Sequence, residues 1–230
     1  MNPAEIFFEV IAFLFAICVH ESAHAWTANR CGDPTARMLG RVTLNPVKHI
    51  DPVGTILLPA IMLISHLPVI GWAKPVPVNP NNFPNQVRDD ILTSVAGPVS
   101  NLLLAAISVV GLALISLTSM QGRAIVSVLA LSYGSAISSM GNASSVLVPI
   151  AGLLYFLMII NVLLAAFNLI PVPPLDGSHV LRHLLPEQAR RMYDTVGIFA
   201  LILLFVAGQS VIFAVVNPFL RFFNSMLMSL

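Results

Sequence analysis

Residues 11–26, IAFLFAICVHESAHAW, decide the fold and the chemistry that this sequence predicts. They form an apolar run in which His20, Glu21 and His24 follow one another within about one helical turn. Side chains four residues apart lie on the same face of a helix, so both imidazoles can bind one metal ion. Glu21 projects about 100° around the helix from His20, where its carboxylate can accept a proton from a water at the metal. Because ionisable groups are costly at membrane depth, this cluster predicts a functional site.

The composition indicates the class of protein. The chain has 230 residues, of which 57% are hydrophobic and 9% are charged, and its mean hydropathy is +0.88. A soluble domain of this length would need more charge to cover its surface, so we predict a polytopic membrane protein. No basic patch with interleaved aromatic residues occurs, which argues against nucleic acid as a partner. The N-terminus lacks a basic region and a small-residue cleavage site, so we expect the first apolar segment to be a retained span.

The apolar segments predict an all-α architecture with four transmembrane helices, each long enough to cross about 30 Å of hydrocarbon. These segments are residues 5–28, 90–117, 146–170 and 196–216. Two further stretches leave the number of crossings open. Residues 54–70 are short and contain Pro59 and Pro68, whereas residues 121–141 are rich in Ser and Gly and suit a loop or a weak helix.

Two proline-rich stretches lie between the predicted spans. Residues 71–84, GWAKPVPVNPNNFP, contain too many prolines for a helix or a central strand, which favours an edge-like extended hairpin. Residues 171–177, PVPPLDG, predict a rigid turn after the third firm span, and residues 178–194 suit an interfacial helix. We expect a single domain over residues 1–230, with a catalytic core at about 5–180 and the interfacial helix and last span at about 181–230.

A third metal ligand is needed, because a catalytic zinc usually takes three protein ligands and keeps one position for water. Asp176 is the best candidate, since it follows an apolar span in the proline-rich turn and Gly177 leaves room for close approach. Asp51 is an alternative, but Lys48 and Pro52 near it favour a structural turn. Asp176 can meet the two histidines only if an odd number of crossings separates the first span from residues 146–170.

Two topologies satisfy this parity, and cationic loops favour the cytoplasmic side. In the first, residues 54–70 and 121–141 do not cross, and nine basic residues lie on one side against two on the other. The nine are Arg30, Arg37, Arg41, Lys48, Lys74, Arg88, Arg182, Arg190 and Arg191, and the two are Arg123 and Arg221. In the second, both stretches cross and the division is eight against three. Either arrangement predicts a metal near the cytoplasmic end of the spans.

Three motifs, in this order, resemble those of a known family: HESAH at 20–24, GPVSN at 97–101 and NLIPVPPLDG at 168–177. The stretches GRVTLNPVKHIDPVGTI and GWAKPVPVNP add to the likeness. On these residues, from His20 to about Val180, the sequence resembles the site-2 protease family of intramembrane zinc metalloproteases, particularly its short bacterial members. We therefore expect no PDZ or CBS domain of the kind found in larger relatives.

The resemblance implies that His20, His24 and Asp176 bind one catalytic Zn²⁺ and that Glu21 is the general base. It implies transmembrane protein substrates, and a membrane-dipping β-hairpin over GWAKPVPVNP that engages them as an added strand. It also implies that Asn168 holds the substrate or the oxyanion. Asn101 is either another such group or a helix–helix hydrogen bond. The candidate substrate-contacting residues are Asn168, Asn101, Gly71, Trp72, Ala73, Lys74 and Pro75.

Two other functions stay open from the sequence. The same ligands could hold a transported ion, although transporters tend to have related halves and this chain has one HExxH and no repeat. A catalytically inactive metal-binding relative is the third possibility. Metal analysis combined with a cleavage assay separates the three.

Overall fold

The computed structural model describes residues 3–58, 61, 64, 71–132, 134, 145–207 and 209–229. These residues form two compact units. The larger comprises Met1–Ala16 and Pro98–Leu230, and the smaller comprises Ile17–Gly97.

Most of the described residues are helical, and none of the described residues forms a strand. The helices are α1 Pro3–Arg30, α2 Thr35–Met38, α3 Gln86–Thr118, α4 Met120–Ser132, α5 Leu147–Asn168, α6 Gly177–Leu184, α7 Glu187–Ala207 and α8 Gln209–Met228. Three short helical turns accompany them: a 3-10 turn at Pro46–Lys48, a π-helical turn at Pro52–Leu57 and a 3-10 turn at Pro80–Asn82.

Within the described part of the chain, three helices are long and apolar enough to cross a membrane: Ile6–Arg30 within α1, then α3 and α5. They correspond to the first three of the four predicted spans. The fourth, residues 196–216, covers parts of α7 and α8, and the side chains of 201–213 and all of residue 208 lie outside the described residues. The fourth span therefore stays a prediction.

The structure describes only parts of the two stretches that left the number of membrane crossings open. Residues 54–70 begin within the π-helical turn, and residues 59, 60, 62, 63 and 65–70 are outside the described part of the chain. Residues 121–141 begin as α4, which has 13 residues and is about 20 Å long, too short for the hydrocarbon core. Residues 133 and 135–144 are likewise not described.

The predicted β-hairpin over residues 71–84 is not confirmed. Within the described chain this stretch is irregular as far as residue 79 and then forms the 3-10 turn at Pro80–Asn82. Proline has no N–H to donate to a β-ladder, and Pro75, Pro77, Pro80 and Pro84 recur too often for a regular strand.

The predicted interfacial helix over residues 178–194 is two helices instead of one. Helix α6 ends before Leu185, which is extended at φ −85° and ψ 140°. Pro186 explains the break, because a proline disfavours helical backbone at the preceding residue. Across the break, the Nε of Arg182 donates to a carboxylate oxygen of Asp194 at 3.0 Å.

The larger unit has one apolar core. Helices α4, α5 and α8 pack against one another, and α7 packs on α8. Leu129, Tyr155 and Val216 are completely buried at their contacts. Two polar pairs lie among these apolar side chains: the hydroxyl of Tyr155 donates to Asn224 at 2.9 Å, and the amide of Asn101 donates to Asn161 at 2.7 Å. Burial of such groups is tolerated because each has a partner.

Candidate metal centre

His20 and His24 form a buried pair on α1 in the smaller unit. Their side chains are 7% and 8% exposed, and their Nε2 atoms lie 3.0 Å apart. Two nitrogens that bind one tetrahedral zinc at about 2.0–2.1 Å are roughly 3.3 Å apart. The spacing that the sequence predicted from helix periodicity is therefore present, and it suits a shared metal ion.

A main-chain carbonyl sets the tautomer of His24. The Nδ1 of His24 lies 2.7 Å from the carbonyl oxygen of Thr93, at the start of α3. Since a carbonyl only accepts hydrogen bonds, Nδ1 carries the proton and Nε2 keeps its lone pair for a metal. This outer partner fits a zinc-binding histidine, and the sequence alone gave no sign of it.

Gly97 makes room for the imidazoles. A Cβ added at this position would lie 2.4 Å from His24 Nε2 and 2.6 Å from His20 Cε1. The sequence marked Gly97 as part of the GPVSN motif, and the structure gives a physical reason for a glycine there. A side chain at residue 97 would occupy the space beside the nitrogen atoms that could bind the metal.

Glu21 is half-buried beside the pair, and its carboxylate meets a distant part of the chain. The main-chain N–H of Val76 donates to Glu21 Oε2 at 3.2 Å. Val76 belongs to the extended segment, residues 71–79, which is the irregular part of the predicted hairpin. The extended segment also carries Gly71, Trp72, Lys74 and Pro75, all of them exposed, and Ala73, which is half-buried.

Asp33 anchors the end of the extended segment. It is completely buried and accepts hydrogen bonds from the main-chain N–H of Asn79 at 2.8 Å and the side-chain amide of Asn82 at 2.7 Å. Burial raises the pKa of Asp33, but hydrogen bonds from Thr35, Asn79 and Asn82 outweigh it and hold the pKa below its ordinary value. Local sequence could not reveal this role, because Asn79 and Asn82 lie 46 and 49 residues downstream.

Arg41 and His49 are two further buried polar residues that sequence reasoning missed. The guanidinium of Arg41 donates to the carbonyl oxygens of Lys48 and Pro75, the latter at 3.1 Å. His49 is 1% exposed, and its Nε2 lies 2.7 Å from the carbonyl oxygen of Thr43. The loop that carries both residues therefore folds around these polar side chains.

Asp51 has the structural role that its flanking residues predicted. Its Oδ1 accepts hydrogen bonds from the N–H groups of Val53 at 3.0 Å and Gly54 at 2.7 Å, which caps the π-helical turn. This carboxylate oxygen therefore satisfies N–H groups that the helical turn leaves unbonded.

Asp176, Asn168 and Asn101 lie in the larger unit. Asp176 immediately precedes α6 and is half-buried, with its Oδ2 atom buried. Its neighbour Gly177 lies so close to the preceding turn that a Cβ there would be 2.3 Å from the carbonyl oxygen of Leu169. A glycine at this position thus lets the chain fold tightly around the carboxylate.

The two candidate asparagines differ in their surroundings. Asn168 is half-buried at the end of α5, where its amide donates to the carbonyl oxygen of Leu164 at 3.0 Å. Asn101 is completely buried, and its amide bonds to Asn161 and, at 3.4 Å, to the carbonyl oxygen of Ala16. The contacts of Asn101 correspond to the helix–helix hydrogen bond that the sequence offered as its alternative role.

Comparisons with known proteins agree with this chemistry. The model of Peptidase family M50 matches residues 8–208. The chain is 36% identical over 216 residues to "Putative zinc metalloprotease YwhC" of Bacillus subtilis (strain 168), covering 90% of this chain and 85% of that protein. It is 33% identical over 189 residues to "Putative zinc metalloprotease Rip2" of Mycolicibacterium smegmatis, covering 81% of this chain and 61% of that protein. No solved structure matches the chain.

Proposed function

Since the chain belongs to peptidase family M50, a zinc-dependent family of metalloproteases, we propose that it is an intramembrane endopeptidase of the site-2 type. Its apolar helices and its family fit a multi-pass membrane protein. One observation carries the proposal: two buried imidazoles, with Nε2 atoms 3.0 Å apart, lie within an apolar helix long enough to span a bilayer. Burying such a pair there is costly, so its presence points to a function.

The proposed zinc ligands are His20, His24 and Asp176. The histidine pair is supported by the hydrogen bond from His24 Nδ1 to Thr93, which leaves Nε2 available. Asp176 is supported by the need for a third ligand, by its buried Oδ2 atom and by the tight glycine turn that follows it. An imidazole pair with one carboxylate is a donor set typical of catalytic zinc.

When bound, zinc lowers the pKa of a coordinated water and polarises a carbonyl group. Glu21 then serves as the general base, because it lies next to His20 in sequence and about 100° around the helix from it. Its Oε2 accepts a hydrogen bond from Val76, so Oε1 is the oxygen that would receive the proton. The proton would pass from Glu21 to the leaving amine. Thr93 and Gly97 keep the rings in place.

The proposed substrates are transmembrane segments that unwind locally, since a helical peptide bond is shielded by its own hydrogen bonds. The exposed residues of the extended segment, Gly71, Trp72, Lys74 and Pro75, with Ala73, are the proposed contact surface. Asn168 is the proposed oxyanion or substrate contact. Asn101 is the weaker candidate, because its amide is already bonded to Asn161. We place the protein in the cell membrane with its site towards the cytoplasm, on the distribution of basic residues.

The Glu21→Gln variant tests this function directly. It should keep about one zinc per chain and lose cleavage of a transmembrane substrate by on the order of 10²–10⁴-fold, the range for loss of a general base. Zinc content by elemental analysis and cleavage in proteoliposomes are measured on the same preparation. Full activity in this variant would disprove the role of Glu21. Movement of zinc across the bilayer without proteolysis would indicate a transporter instead.

A further inference from the structure

From Trp72 to Val76, every second residue of the extended segment donates its main-chain N–H to a residue earlier in the chain. Trp72 donates to the carbonyl oxygen of Gly54 at 3.1 Å, and Lys74 donates to that of His49 at 2.8 Å. The next donor in this series is Val76, whose acceptor is the carboxylate of Glu21 at 3.2 Å and not another carbonyl. Helix α1 thus supplies a side-chain acceptor, the carboxylate of Glu21, for the third of these three donors.

Prolines occupy the alternate positions. In an extended chain, successive residues direct their main-chain groups to opposite edges. Pro75 and Pro77 fall on the edge opposite to Trp72, Lys74 and Val76, and neither has an N–H. Proline also disfavours helical backbone at the preceding residue, which favours an extended backbone at Lys74 and Val76. The sequence PVP therefore leaves the Val76 N–H as the sole main-chain donor within residues 75–77.

Two buried side chains fix the register of the extended segment. Arg41, which is 7% exposed, donates to the carbonyl oxygen of Pro75, next to Val76. Asp33 accepts from the N–H of Asn79, three residues beyond it. A shift of the extended segment by one residue would break both contacts and would bring a proline nitrogen, which cannot donate, opposite Glu21.

We propose that the main-chain N–H of Val76 is a positioning group, which holds the carboxylate of Glu21 in the orientation required of a general base. A glutamate side chain has three rotatable bonds, and fixing one carboxylate oxygen removes much of this freedom. With Oε2 held, Oε1 faces the proton that it must accept. This inference rests on the proposed function of Glu21, and it assigns to Val76 a role beyond shaping the substrate surface.

Amide exchange tests the hydrogen bond without any need for protease activity. In wild-type protein, the difference in deuterium uptake between peptides covering residues 72–77 and 72–75 reports on Val76, because Pro77 has no amide. Glu21→Ala should speed the exchange of the Val76 amide by about tenfold, as expected when a hydrogen bond to a charged acceptor is lost. Glu21→Gln, whose amide oxygen still accepts, should stay within about threefold of wild type. Equal rates in wild type and Glu21→Ala would overturn the proposal.

Kinetics test the consequence for catalysis. Val76→Pro removes the donor, so kcat should fall by at least about tenfold while KM and zinc content stay at wild-type values. The matched control is Val87→Pro, in the first turn of α3, where proline is tolerated because the N–H has no helical partner. Unchanged kcat in Val76→Pro would contradict the proposal, and so would loss of zinc or an equal kcat loss in Val87→Pro.

The two experiments separate this proposal from the proposed function. If wild-type protein cleaves no peptide bond, the proposed function fails, and the exchange experiment still decides whether Val76 holds Glu21. If wild-type protein is an active protease and Val76 exchange does not respond to Glu21→Ala, the function stands and the positioning role fails.

Discussion

The regions around His20–His24 and around Asp176 both hold proposed zinc ligands, and they do so in different ways. In the first, a regular helix sets the spacing of two side chains, and the groups that orient the rings come from far along the chain. Thr93 binds His24 across 69 residues of sequence, and Gly97 makes room for both rings.

Among the described contacts, those that shape the backbone around Asp176 come largely from nearby residues. Pro171, Pro173 and Pro174 restrict the backbone before it, and Gly177 lets the chain turn back against Leu169. Its supports from outside the turn come from α7: the hydroxyl of Tyr193 donates to the carbonyl oxygen of Pro171 at 2.9 Å, and Gly197 lies against Pro173.

The difference follows from what each backbone can fix. A helix determines where Cβ atoms lie, but it leaves the side-chain rotamers free, so the imidazoles need outside partners. A turn rich in proline and glycine restricts the backbone itself, so a short side chain such as aspartate needs fewer of them.

The largest expected effect comes from removing one ligand in each region. His24→Ala and Asp176→Ala should each reduce zinc to less than about a tenth of one ion per chain. Each should also lower cleavage by more than the roughly 10- to 100-fold typical of outer partners. His183→Ala, on α6, serves as the control and should retain zinc. Full zinc content in Asp176→Ala would show that the turn does not contribute a ligand.

The second test concerns the space beside the imidazoles. Gly97→Ala would place a methyl group 2.4 Å from His24 Nε2, so the rings must move and zinc affinity should fall by about 10- to 100-fold. Gly111→Ala, in the same helix, meets only a terminal methyl of Leu154 at 3.0 Å. Zinc affinity, measured by chelator competition, should stay within about threefold in that control. Similar losses in both variants would mean that helix packing, and not the rings, causes the effect.

The third test overpacks the contact between α7 and the proline-rich turn, and it should have a smaller effect on the metal. Gly197→Ala would place a Cβ 2.5 Å from the ring of Pro173, and overpacking of this kind costs about 1–3 kcal/mol. Part of that cost would be absorbed by movement of α7, so zinc affinity should fall by about tenfold or less. Thermal unfolding and chelator competition are both measured. A loss of zinc as large as in Gly97→Ala would contradict the view that the turn is locally determined.

The smallest effect concerns Asp33 and depends on pH. Its pKa is lower in the folded protein than the ordinary value of about 3.9, so its stabilising contribution is complete above that value. As the pH falls through the lower folded pKa, the contribution is lost. Asp33→Asn should lower the midpoint of thermal unfolding by a few degrees between pH 5 and 8, and the difference should shrink below about pH 4. A difference that does not change with pH would show that the charge of Asp33 contributes nothing.

Sequence patterns predicted local features well. The spacing of His20 and His24 follows from helix periodicity, and three apolar segments correspond to α1, α3 and α5. Pro186 also carried a signal that could have been used, since it divides the predicted interfacial helix. The hairpin predicted over residues 71–84 was the reverse case: it is not confirmed, and the prolines gave no information about the distant partners of this stretch.

The sequence by itself determined the two histidines and Glu21 on one apolar helix, three of the four predicted spans and the proline-rich turn, because each depends on residues within a few positions of one another. Only the tertiary structure decided that Thr93 sets the tautomer of His24, that Gly97 must be small and that Val76 meets Glu21. Those contacts join residues 55 to 77 positions apart. Local periodicity carries no information about such pairs, since they form only when distant segments pack.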